Sequence, residues 1–189
     1  MKKFFSIMLM ATTAFFFTSC GDDEEVPSPN QQQSNAPYAA LSASFSFELT
    51  EAMADICDVT VNYTGEDGTM VRENVVNGKW SKSVRINKAV ESCELEVYVT
   101  KKADADLSEN NATFSANDKG EKFAKMGLNG GSVSVKTYDK NGNLISSKMS
   151  DFSHSLSIGL DKLEEYLNKY KDTPVRSCKV KINDKGGIE

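Results

Sequence analysis

Between Leu41 and Leu49 apolar and polar positions alternate without a break: Leu41, Ala43, Phe45, Phe47 and Leu49 are separated by Ser42, Ser44, Ser46 and Glu48. Successive side chains of a strand point to opposite faces, so this period predicts a strand with one face buried. Cys57, Val59, Val61 and Tyr63 alternate with Asp58, Thr60 and Asn62 in the same way. The segment Thr64-Gly65-Glu66-Asp67-Gly68-Thr69 then supplies glycines for a tight loop, which predicts a hairpin into Met70–Val76. That run meets Lys79–Ile86 across Asn77-Gly78, a dipeptide suited to a two-residue hairpin turn.

Ser92–Thr100 predicts a further strand, with Cys93, Leu95, Val97 and Val99 inward. From Ala103 to Gly131 the chain is polar, its larger apolar residues being Leu107, Phe114, Phe123, Met126 and Leu128, and it reads as loops with one weak strand or short helix. Ser132–Asp139 and Leu144–Met149 predict a second hairpin across Lys140-Asn141-Gly142-Asn143, and Ser153–Ile158 one more strand. The one helix expected runs over Asp161–Lys171, because Leu160, Leu163, Leu167 and Tyr170 recur at helical spacing and Thr173-Pro174 follows. Val175–Ile182, with Cys178, Val180 and Ile182 inward, closes the chain. Eight or nine short strands joined by turns, plus one late amphipathic helix, predict an all-β, antiparallel immunoglobulin-like sandwich. A small β-barrel is the alternative, since strand count and turns do not separate the two.

Ahead of this region stands a different pattern. Met1-Lys2-Lys3 is positive, and Phe4–Phe17 is an uncharged, mostly apolar run of 14 residues. As a helix it would rise ~21 Å, short of the ~30 Å hydrocarbon core, so it predicts a secretory signal peptide over residues 1–19 and not a membrane span. Val26–Pro37 has three prolines and no apolar period, which predicts a flexible tether over residues 20–37 and a folded domain over 38–189.

Phe17-Thr18-Ser19-Cys20-Gly21 resembles a lipobox, with Phe17 where leucine is usual, and Gly21-Asp22-Asp23-Glu24-Glu25 resembles the acidic stretch of Bacteroidota-type surface lipoproteins. The resemblance covers about Met1–Glu25. It implies cleavage before Cys20, lipid attachment at Cys20, anchoring in the outer membrane and display at the cell surface. Several acyl chains, each adding ~0.8 kcal/mol per buried CH₂, hold such an anchor durably.

Charge narrows the partners. Without Lys2 and Lys3 the chain keeps 20 basic residues against 27 acidic ones, a net charge of −7, so no basic excess is left for nucleic acid. Five of the ten phenylalanines lie in the leader, which leaves a rather polar domain.

Candidate chemistry is sparse. His154 is the single histidine, and its neighbours Ser153 and Ser155 would point to the opposite face of a strand, so no triad forms there and sites with several histidines are excluded. Asp139-Lys140-Asn141-Gly142-Asn143 begins like a calcium loop. Leu144 then stands where glycine is needed and Ser150 where the bidentate glutamate is needed, so a hairpin turn is the better reading. Asp104–Glu109 reads as a solvated acidic loop in preference to a weak cation site. Trp80 shares a face with Lys82, Val84 and Ile86, which places it at the core edge in preference to a sugar-stacking platform.

With no phosphate loop, nucleophile elbow or Cys-x-x-Cys pair, neither a catalytic residue, a cofactor nor a metal is expected. Cys57, Cys93 and Cys178 are expected as buried thiols in preference to one bridge involving Cys178, with Cys57 and Cys93 at opposite ends of their sheet and not bonded to each other. The function expected is a membrane-anchored, surface-displayed binding module for a glycan or a protein partner. A structural or accessory subunit of an envelope complex is the alternative, and a surface hydrolase the third reading.

Overall fold

The computed structural model describes residues 37–189. The expected signal peptide, Cys20, the acidic stretch and all of the expected tether but Pro37 lie outside the described residues. Nine strands and two helices follow in the order β1 (Tyr38–Leu49), α1 (Glu51–Ile56), β2 (Cys57–Thr64), β3 (Met70–Val75), β4 (Lys79–Ile86), β5 (Ser92–Lys101), β6 (Ser115–Ala116), β7 (Lys122–Asp139), β8 (Leu144–Gly159), α2 (Leu160–Lys169) and β9 (Arg176–Lys181). They form two antiparallel sheets. In the first, β4, β1, β7 and β8 lie side by side, with the short β6 against the start of β7. In the second the order is β3-β2-β5-β9. Two open sheets and no closed ring make this a sandwich, and the barrel alternative falls away.

The alternation seen in sequence is what joins the layers. Leu41, Ala43, Phe45, Phe47 and Leu49 of β1 are buried, as are Cys57, Val59, Val61 and Tyr63 of β2 and Cys93, Leu95, Val97 and Val99 of β5. Phe45 meets Tyr63 across the interlayer with ring centroids 5.9 Å apart. Each large side chain buried there contributes roughly 1.5–3 kcal/mol. The Gly65–Thr69 loop closes the β2–β3 hairpin as expected, with Gly65 N–H donating to the Thr69 carbonyl at 2.8 Å.

The Asn77-Gly78 hairpin is not formed. Both residues have positive φ (61° and 69°), as a tight hairpin turn requires, yet β3 pairs with β2 and β4 pairs with β1. The turn therefore carries the chain from one sheet to the other. It is pinned from outside its own strands: Leu49 N–H donates to the Gly78 carbonyl at 2.8 Å, and a Cβ on Gly78 would stand 2.7 Å from the Ala54 methyl. In the first sheet β1 pairs with β4 on one side, and on its other side lies β7, contributed by a later part of the chain.

The polar region before Gly131 holds more strand than its composition predicts. β7 begins at Lys122, and β8 is one strand of 16 residues, so the strand expected over Ser153–Ile158 is its continuation. What hides β7 is a bulge between Leu128 and Gly131. Before it Ala124, Met126 and Leu128 face inward; after it Val133, Val135 and Thr137 do, and the period changes phase. Gly127, at φ 131°, lies against the His154 carbonyl, where no Cβ fits.

A second difference is α1, a six-residue helix where no helix was expected, which buries Ala52, Met53 and Ile56. α2 packs against β8, β7 and β5, burying Leu163 and Leu167 and pairing Glu164 with Lys101 at 2.7 Å. Strand directions then define two ends. The chain enters at Tyr38, among the 65–69, 87–91 and 140–143 loops and the C-terminal segment, where Gly186 accepts from Thr137 Oγ1 at 2.6 Å. The far end carries α1, the Asn77-Gly78 turn, the 102–121 segment and α2.

Candidate functional site

Both flanks of the sandwich are tied by polar groups on edge strands. On one, Glu73 of β3 accepts from Tyr63 Oη at 2.6 Å, from Lys82 Nζ at 2.8 Å and from Trp80 Nε1 at 3.2 Å. The Lys82 ammonium first, then the Tyr63 hydroxyl and the indole N–H, hold the Glu73 carboxyl down at about 2. Trp80 packs on Phe47 and Tyr63 with centroids 5.7 and 5.2 Å apart. It sits at the core edge as expected, with its one donor committed to Glu73. On the other flank the Arg176 guanidinium lies 5.0 Å from the Phe152 ring centroid, joining β9 to β8.

The remaining sequence candidates are dispersed. Asp139 is buried, and its carboxylate accepts from Asn141 N and Asn143 N, both at 2.8 Å, and from Asn143 Nδ2 at 3.0 Å. These bonds shape the β7–β8 turn. Asp106 accepts from Ser108 N–H at 2.9 Å in an exposed loop, and His154 is exposed on β8. Among the described residues no group of three or more His, Cys, Asp or Glu side chains converges as a metal site would require.

The three thiols are free and spread over the second sheet. Cys57 pairs in register with Lys101, whereas Cys93 lies past the Leu95–Tyr63 pair at the other end of β5, so the two stand apart as expected. Cys178 faces inward as expected, in register with Leu95 and on the face of Val180, but it is only half-buried, a correction to its expected burial, because β9 is an edge strand with no neighbour on one side. Burial pushes the Cys57 and Cys93 thiols up to about 12.

Several clefts lie at the far end. A cleft of about 480 Å³ runs over the bulge, lined by Ser46, Glu48, Lys79, Asn129, Gly130 and Asp151. It shares Glu48, Lys79 and Asn129 with a second cleft of about 520 Å³, which continues past Asn77 to Glu51, Asp55 and Thr113. Together they form a groove floored by glycine and walled by hydroxyl, amide and carboxylate groups. Glu48 and Lys79 pair across it at 3.2 Å, an exposed pair worth about 0–1 kcal/mol.

Local folding sets each wall. Asn129 Nδ2 donates to the Leu49 carbonyl at 3.1 Å, holding the bulge to the end of β1. Asp55 accepts from Asn111 Nδ2 at 2.9 Å and fastens the 102–114 segment to α1. A third cleft, about 610 Å³, lies between the end of β8 and one face of α2, bounded by Ile158, Asp161, Glu165, Tyr166 and Lys169. The Tyr166 and Tyr170 rings meet at a tilt of 54° with centroids 4.9 Å apart, and burial raises the Tyr166 phenol to about 12.

Sequence reasoning had not singled out these residues. Asn129-Gly130-Gly131 was the one local signal, as a glycine pair interrupting a strand marks a bulge. Comparison with models of known protein families, with curated proteins and with solved structures finds no match.

Proposed function

We propose that this chain is a lipid-anchored cell-envelope protein whose β-sandwich is a binding module displayed at the surface, with Cys20 as the lipid attachment site. The leader and the acidic stretch after Cys20 support the address. One observation carries the binding role. The polar groove and the α2 cleft lie at the end of the sandwich opposite Tyr38, where the segment from Cys20 to Pro37 joins the domain. Their volumes fall in the range of small-ligand sites, roughly 300–1,000 Å³.

The groove's walls suit a polar ligand rich in hydrogen-bonding groups, such as a glycan, or an extended segment of a partner protein. The role needs neither cofactor nor catalysis.

Two experiments test the reading. Metabolic labelling with a fatty acid should mark the protein and fail with Cys20→Ala; labelling that survives the substitution rejects the anchor. Protein from Tyr38 onward should bind on a glycan array or to envelope extracts, and Gly130→Asp, which fills the groove floor, should abolish that binding. Binding indifferent to Gly130→Asp would move the site elsewhere.

A further inference from the structure

We propose that the edge of β8 away from β7, which no strand among the described residues pairs with, is an interface between two copies of this chain, paired antiparallel about Met149.

The four outer strands differ in how they are guarded. A long edge strand presents unpaired N–H and C=O groups, and charged side chains are the usual protection. β3 carries Arg72 and Glu73 in six residues, β4 carries Lys79, Lys82 and Arg85 in eight, and β9 carries Arg176, Lys179 and Lys181 in six. β8 is the longest at 16 residues and carries two, Lys148 and Asp151. It also exposes Leu144, Met149 and Leu156.

Geometry selects the occupant. β7 and β8 shift register between Leu128 and Gly131 and again between Thr137 and Tyr138. Between those irregularities Ser146–Phe152 pairs residue for residue with Gly131–Thr137. Met149 is the midpoint of that regular stretch. It faces outward opposite Ser134, 64% exposed on a sheet surface otherwise made largely of serine. Burying that side chain is the apolar gain the edge offers.

A two-fold axis perpendicular to the sheet keeps each residue on its own face, so a residue can oppose only one of the same parity on the second copy. Centred on Met149, the whole regular stretch pairs with its copy. Met149 meets Met149, Lys148 meets Ser150, Ser147 meets Asp151 and Ser146 meets Phe152. Centring on Lys148 or Asp151 would oppose like charges, which is unfavourable. Centring on Ser150 would set Met149 against a carboxylate. The Met149 register joins the five-stranded sheets of the two copies into one continuous sheet, and it does not depend on which ligand the far end binds.

The test uses the full chain with Cys20→Ala and Cys178→Ala, so that the N-terminal and the half-buried thiols are both removed. Under mild oxidation Met149→Cys should give a disulfide-linked dimer, because opposed residues have Cα atoms about 4.5–5.5 Å apart. Ser147→Cys alone should not, since in this register it lies about 13 Å along the strand from its own copy. Mixing Ser147→Cys chains with Asp151→Cys chains should restore the link. Sedimentation should show Met149→Lys, which folds normally because the position is exposed, associating about tenfold more weakly or not at all. A monomeric parent chain, a dimer untouched by Met149→Lys, or equal linking at positions 147 and 149 would each overturn the proposal.

Discussion

Glu73, on the edge strand of one sheet, accepts a hydrogen bond from the indole N–H of Trp80, on the edge strand of the other. The same carboxylate holds Lys82 and Tyr63, so one anion joins both layers where the chain crosses between them.

That arrangement makes the tie pH-dependent in a defined sense. A carboxyl whose folded value is depressed contributes stability above its unfolded value and loses it as pH falls through the folded value. For Glu73 the window runs from about 4.5 down to about 2. Glu73→Gln should cost about 1 kcal/mol at neutral pH, an amount already discounted for the partial exposure of the pair. Urea unfolding of both proteins across that window should show the difference closing towards the acid end. A constant difference would mean that the charge plays no part.

Two glycines should respond very differently to alanine. Gly142 has φ 82° with no atom within 4 Å of a built Cβ, so Gly142→Ala meets only backbone strain, about 1 kcal/mol. Gly127 has φ 131° and lies against the His154 carbonyl, so Gly127→Ala must also displace the β8 backbone. It should cost about 3 kcal/mol or more. Denaturant midpoints of the two variants, measured side by side, check the ranking.

The thiols should label in order of access. Cys178 should react first with an alkylating reagent at neutral pH, while Cys57 and Cys93, pushed up to about 12 by burial, should wait for denaturant. Peptide mapping after timed quenching reads the order. A peptide linking Cys57 to Cys93 would contradict the β2–β5 register.

Sequence alone revealed those strands whose burial is one-sided and uninterrupted. β1, β2 and β5 are such strands, each flanked on both sides within its sheet, so their alternation survives intact. Asn77-Gly78 shows the limit of local chemistry: the dihedral angles were legible, but the destination of the next strand was set by Leu49 and Ala54, distant in sequence. The bulge at Asn129-Gly130 changed the phase of β7 and broke one strand into apparent fragments. α1 is under two turns long, too short for a helical period to register. The groove draws its walls from β1, α1, the crossing turn, the 102–121 segment and the bulge, and no window of sequence contains them together.

The placement of β7 beside β1 also sets the timetable of folding. The residues they pair, from Leu49 with Leu128 to Tyr38 with Asp139, are separated by 79 to 101 positions along the chain. Such distant partners close slowly, because a long loop loses its freedom before any contact repays it. A chain emerging from its N-terminus presents β1 first, and that strand waits with one side unpaired until more than half of the domain has followed. The strand order therefore keeps one side of β1 exposed for much of synthesis, and a chain cut short before β7 would leave this apolar strand paired to β4 alone.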